Sequence, residues 1–485
     1  MLKKQIALTT PLNEMLAATG FNKTDDDNSP FFTEKIKIPY VEPNSTTEGE
    51  SYKISSTERE LTFFKHTGEL LSSRMISPDI KSRLEKKKKC ENFITFLSQK
   101  QGLDNVNEIE SSHPRPLSTG DNLEWLLPFI TLYEQVEAEQ YREIDNFLMP
   151  IWKFNNFTAK EIFKEQSQEY TQKYIIQIIN NKINESELSE MSTMLKQSPV
   201  FKDRASEDLI GSLKKNIKEM HNVFFKDTKS ELSVDERGQL KQPIINAIIG
   251  PDNDTESGNN SLSFYQRLFI DFFRGCIYEK RINDPQEDNL HHRINSGGCK
   301  LMVQGASGIL GIEDPFKLID KLVIDKDKLS STEEETRDKW KQKLNNLLTL
   351  QAEANIHFND AISLPKEIQN KELSIADVKK IYGEMSPIEW LDDKLDQYKT
   401  CLIKYTREMT ELLMDIYQVS AQKPGDKDPA LTDLERYIQL ISSALIGVPF
   451  WSCKLTSRYM IQQLVADINQ IKEKIDMLLK IFMPK

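Results

Sequence analysis

The segment Lys300-Leu301-Met302-Val303-Gln304-Gly305-Ala306-Ser307-Gly308-Ile309-Leu310-Gly311 decides how the chain is read. Five of the 18 glycines (Gly297, Gly298, Gly305, Gly308, Gly311) crowd into it and its approach. An apolar run followed by Gly-x-x-Gly-x-x-Gly has the order of a strand turning into a helix, where backbone N–H groups approach an anion. The other reading is a glycine-rich connection between helical domains. The flanks favour the second. Pro315 lies where the helix would have to continue, and only Phe316 to Leu322 remain before Val323-Ile324-Asp325. No further strand–helix alternation follows.

The glycine spacing resembles the dinucleotide-binding turn of short-chain dehydrogenases. That resemblance implies an NAD(P) site at Gly305, Gly308 and Gly311, with Asp325 as the acidic partner. The family's Tyr-x-x-x-Lys pair occurs nowhere in the sequence. NAD(P) binding is therefore kept as a secondary expectation.

Downstream, the periodicity is helical. Leu391, Leu395, Tyr398, Leu402, Tyr405, Met409, Leu412 and Ile416 recur at alternating steps of four and three. Leu434, Ile438, Ile441 and Leu445 follow the same rhythm, as do Ile461, Leu464, Ile468, Ile471, Ile475, Leu478 and Phe482. Such stripes need partner helices, or a second copy of the chain, to cover them. The sequence predicts a mainly α, multi-domain protein with a C-terminal antiparallel helical bundle and a glycine-rich central connection. A helix is expected from Pro387 to Gln422, with turns at Gln422–Pro429 and Gly447-Val448-Pro449.

Upstream, residues 1–57 are polar and read as a partly disordered extension, with a strand only at Glu34–Val41. Residues 58–120 read as two helices (Glu58–Met75 and Pro78–Gln101) plus a linker, and 121–283 as a helical domain opened by a helix at Asn122–Met149. Residues 284–330 form the connection and 331–485 the bundle.

The 485 residues carry a net charge of −11, which argues against a nucleic-acid binder. The basic run at Lys81–Lys89 is expected to be a solvated face. Five scattered cysteines without a C-x-x-C fit free thiols in a reducing compartment. No apolar run approaches a membrane span and no signal-peptide core is legible, so a soluble protein is expected.

Three further constellations carry chemistry. Cys299 follows two glycines whose amides could stabilise an oxyanion, with His357 and Asp360 downstream as base and orienter. Glu353, His357 and Asp360 share a helical face, and His291, His292, Cys276 and Cys299 form a second possible set. Neither matches a recognised ligand spacing, so no metal is assigned. Phe450 and Trp451, at an apolar turn beside Lys454 and Arg458, are expected to fold inward and cap the bundle core; the alternative is a membrane tip holding a phosphoinositide.

The chain is rich in Lys, Asn, Ile and Glu, helical, without a legible leader, and apolar near Ile481, Phe482 and Met483. In this it resembles effectors delivered by the Dot/Icm type IV secretion systems of intracellular bacteria. The resemblance implies passage from a bacterial cytoplasm to a host cytoplasm or organelle surface. The leading expectation is an interaction protein that docks on a host protein or membrane. The alternative is a Cys–His hydrolase or transferase acting on a host protein.

Overall fold

The computed structural model describes residues 31–46, 49–64, seven positions between 88 and 99, 126–131, 134–155, 162–163, 166–179, 182–197, 201–203, 205–227, 264–279, 290–323, 331–369, 373–420 and 428–454. The described chain is mainly α-helical, as the periodicities predict.

It opens with a long hairpin. β1 (Phe31–Thr46) and β2 (Gly49–Phe64) pair antiparallel, from Phe31 opposite Phe64 to Thr46 opposite Gly49. The strand expected at Glu34–Val41 lies inside β1. Two expectations are corrected: residues 31–46 and 49–57 belong to this hairpin, and Glu58–Phe64 is the end of its second strand instead of the start of a helix. The physical reason is a period of two. Ile36, Ile38, Leu61 and Phe63 are buried, while Lys35, Lys37, Glu58 and Glu60 point to solvent.

Helices follow: α1 (Leu127–Ile130), α2 (Ala138–Lys153), α3 (Gln168–Ile179), α4 (Glu185–Gln197), α5 (Ser206–Asp227) and α6 (Phe264–Tyr278). The single helix expected over Asn122–Met149 is broken between α1 and α2. α6 buries Phe264, Phe269, Phe272 and Phe273, as its aromatic content predicts.

The glycine stretch is a helix, which overturns both a binding turn and a loose connection. After α7 (Leu290–Ser296), Gly298 adopts φ 71°, open to glycine at little cost, and starts α8 (Cys299–Ile309). Every residue from Lys300 to Ser307 is buried. Gly305 faces the ring of Phe147 on α2: a Cβ there would lie 2.6 Å from Phe147 Cζ and closer still to two other ring carbons. Glycine at 305 thus permits the close crossing of α8 over α2.

α9 (Pro315–Val323) starts at the proline expected to interrupt a helix, because at a first helical position its missing N–H is harmless. The bundle follows: α10 (Ser331–Gln369), α11 (Ile375–Tyr382), α12 (Pro387–Ser420) and α13 (Pro429–Lys454). The 39 residues of α10 span about 58 Å at 1.5 Å per residue. α12 runs antiparallel to α10, since Lys343 meets Glu411 while Phe358 meets Tyr398. α13 runs antiparallel to α12, since Tyr405 hydrogen-bonds Ser442 and Tyr417 hydrogen-bonds Glu435. The stripes at Leu391–Ile416 and Leu434–Leu445 are buried in these interfaces, Leu395 only partly. The stripe at Ile461–Phe482 lies outside the described residues. The turn expected at Gly447-Val448-Pro449 is corrected: α13 runs through it, with Gly447 and Pro449 buried.

One cluster of buried side chains runs from Ile36 to Cys453 and draws from both sides of the expected boundaries at 283/284 and 330/331. A smaller cluster joins Val41 of β1 to Leu364, Ile368, Val378, Tyr382 and Trp390. Tyr382 Oη also donates to the Val41 carbonyl at 2.9 Å, and Arg59 of β2 grips Asp392 of α12 at 2.6 and 3.1 Å. Among the described residues, no helix is long and apolar enough to cross a membrane.

Candidate functional site

A phosphate site needs free N–H groups at a helix N-terminus. Gly308 and Gly311 sit at the other end of α8, where carbonyls and the negative end of the helix dipole gather. Gly311 itself has φ 71° and donates its N–H to the Gly308 carbonyl at 3.2 Å. Gly305 is buried against Phe147. The NAD(P) expectation for Gly305, Gly308 and Gly311 therefore fails on geometry, and the element just before α8 is the helix α7 where such a turn needs a strand. Asp325 lies outside the described residues.

Cys299, His357 and Asp360 are occupied separately. Burial pushes the Cys299 thiol up to about 11, with the Asn355 amide drawing it back slightly. Its Sγ lies 4.0 Å from the Gly297 carbonyl. A thiol held that far above neutrality is a poor nucleophile, because the thiolate is the reactive form. Asp360 forms an ion pair with Arg293 of α7. The pair is largely enclosed: the Asp360 side chain is 14% exposed and that of Arg293 35%. His357 turns to Glu353, its Nε2 standing 3.6 Å from Glu353 Oε1.

Behind Cys299 the interior is unusually polar. Ser296 donates to Glu279, and Lys300 Nζ donates to Asn295 Oδ1 at 3.2 Å. Burial lowers the Lys300 ammonium from its usual range, while Asp271 opposes that shift. Burial raises the Asp271 carboxyl, with Lys300 the strongest opposing charge. Gln304 of α8 accepts a hydrogen bond from Tyr437 of α13 at 2.8 Å. Such groups tie helices in one register, because a buried polar atom left without its partner is costly.

Phe450 and Trp451 are 3% and 1% exposed. Phe450 lies 6.4 Å from Phe63 of β2, and Trp451 meets Trp152 of α2 edge-on at 6.1 Å. They fold inward and cap the core, as expected, and the alternative of a membrane tip at Phe450 and Trp451 is corrected. Lys454 closes α13, and Arg458 lies outside the described residues.

Of the two metal sets, the structure keeps two of the three members of one. Glu353 and His357 stay together, but Asp360 is replaced by Cys401 of α12, and the three donor atoms lie within 4.8 Å of one another. His357 holds the Glu353 carboxyl below the usual carboxylate range, against the effect of burial. Burial, reinforced by Glu353, pushes the Cys401 thiol up to about 12. Among the described residues, the set His291, His292, Cys276 and Cys299 does not gather. His291 and His292 instead meet edge-on, and His292 stacks on Tyr278. One sequence signal pointed to Cys401: it lies three residues after Tyr398 and beside Leu402, on the margin of the buried stripe.

Neither a known protein family nor a curated protein matches the chain.

Proposed function

We propose that the chain is an α-helical interaction protein that docks on a protein partner through the solvent face of its C-terminal bundle. On this reading it acts in a host cell as a secreted bacterial effector would. One observation carries it: three positions that suggested chemistry, Cys299, Asp360 and Gly305, are withdrawn into the packing between helices. Cys299 is a half-buried thiol that burial pushes up to about 11, Asp360 pairs with Arg293, and Gly305 serves a helix crossing. With Phe450 and Trp451 packed inward, a protein partner is a better match than a membrane.

Removing the bundle is a poor test, because α13 contributes Leu434 through Ile446 to the main core. The cleaner test alters the exposed side of α12, where Asp396, Lys399 and Thr400 face solvent. Immobilised chain should capture a discrete protein from eukaryotic lysate. Asp396→Lys, Lys399→Glu and Thr400→Glu combined should abolish capture while circular dichroism stays unchanged. Capture of the same proteins by both forms would refute docking through this face.

A further inference from the structure

α10 and α12 bring together the three donor types that bind zinc: a carboxylate oxygen, an imidazole nitrogen and a cysteine sulfur. Glu353 and His357 are four residues apart on α10, so they share a face, and Cys401 reaches them from the antiparallel helix α12. In a tetrahedral site with metal–ligand bonds of about 2.0–2.1 Å, an N–O edge is about 3.3 Å. The His357 Nε2 to Glu353 Oε1 distance is already 3.6 Å. An edge to sulfur is about 3.5 Å, and all three donors already lie within 4.8 Å of one another. Side-chain rotations of roughly 1 Å would close the set around an ion of this bond length.

We propose that Glu353, His357 and Cys401 form a site for a divalent ion of the zinc class, with three protein ligands and a fourth position open. The inference goes beyond the docking reading and stands independently of it. The donor set selects the ion: sulfur and imidazole suit zinc, whereas magnesium and calcium require mainly oxygen. Burial differs among the three. The side chain of His357 is 8% exposed and that of Glu353 24%, while Cys401 is buried. The open position therefore faces the Glu353 side, where a water can complete the shell. Binding is a substitution without redox change: the Cys401 thiol proton leaves to solvent as the sulfur–metal bond forms, and His357 binds as the neutral ring. The exposed Lys404 ammonium, near Glu353, is a screened cation that opposes the ion weakly. Without an ion the three side chains only lie beside one another, with His357 Nε2 3.6 Å from Glu353 Oε1, and the two states differ spectroscopically.

The test uses the full chain, freed of metal by chelator and titrated with Co²⁺, whose thiolate charge-transfer and ligand-field bands report sulfur coordination and tetrahedral geometry. One equivalent should develop both bands, and Zn²⁺ should displace it. Cys401→Ser should abolish the thiolate band, and His357→Gln should weaken binding more than about a hundredfold, beyond what loss of an outer-shell partner costs. Cys299→Ser should leave the spectrum unchanged. No thiolate band in the unsubstituted chain at equimolar cobalt overturns the proposal, whatever the variants do. A band that survives Cys401→Ser also overturns it.

Discussion

Gly305→Ala sets two effects of opposite sign against each other. Alanine is favoured over glycine in a helix interior by roughly 1 kcal/mol. At 305 the added methyl collides with the Phe147 ring, which is buried and meets Phe269 edge-on at 6.5 Å and Tyr265 at 6.3 Å. A ring so enclosed cannot swing away, and one extra methyl group in a packed core costs about 1–3 kcal/mol. A contact this close belongs at the upper end, so Gly305→Ala should destabilise by about 1–2 kcal/mol net of its propensity gain. Gly308, one turn on along the same helix, is exposed, and a Cβ there would meet nothing within 4 Å. Gly308→Ala should stabilise by about 0.5–1 kcal/mol. The assay is urea unfolding of both variants by circular dichroism. Phe147→Leu, alone and combined with Gly305→Ala, completes the cycle that measures the coupling. If Gly305→Ala were as stable as the parent, or lost stability equally with and without Phe147, the packing account of the glycine stretch would be wrong.

The Arg293–Asp360 pair predicts that Asp360→Ala strands a largely enclosed guanidinium. The loss should be about 2–4 kcal/mol, below the roughly 3–5 of a fully buried pair because Arg293 keeps some water; Arg293→Met with Asp360→Leu should recover most of it in chemical unfolding. Burial lifts the Cys299 and Cys401 thiols to about 11 and about 12. Raised folded-state values mean that the unfolded chain releases these protons first. Their stability contribution is complete below about pH 8.5 and falls as pH rises towards 11–12, by up to about 1.4 kcal/mol per pH unit for each thiol. Urea midpoints between pH 8 and 10 should decline, and Cys401→Ala should flatten the slope. In the native chain, alkylation of Cys299 by iodoacetamide at neutral pH, read by mass spectrometry, should run about a hundredfold slower than at an ordinary thiol of 9.0, from its thiolate fraction alone. Tyr382→Phe removes the bond to the Val41 carbonyl and should cost about 1 kcal/mol, with faster amide exchange in β1 as the local readout.

The legible parts of this fold were those with local causes. A stripe such as Tyr398, Leu402, Tyr405 and Met409 records its own burial, because the helix repeats on the same scale as the pattern. β1 was half legible through Ile36 and Ile38. β2 was hidden because Ser55 to Glu60 holds no apolar residue, and its glutamates suit a helix better than a strand. The glycine helix was illegible for a different reason. What makes Gly305 favourable is the Phe147 ring, more than 150 positions away in sequence. The mixed-donor cluster was half legible: Glu353 and His357 are related by the helix repeat, whereas Cys401 joins them only through the pairing of α10 with α12. Asp360 shares their periodicity but is drawn off by Arg293, a partner that no spacing rule announces.

The hairpin's anchors have a consequence for synthesis. Arg59 waits for Asp392, 333 positions later, and Val41 waits for Tyr382, 341 positions later. At ribosomal speeds of about 5–20 residues per second, the gap is roughly 20–70 s. During that interval two sixteen-residue strands, with Ile36, Ile38, Leu61 and Phe63 uncovered, have nothing of their own chain's far end to rest on. A nascent chain arrested before α11 should therefore recruit ribosome-associated chaperones or stick to its neighbours, and one released after α13, which brings Phe450 to Phe63, should not.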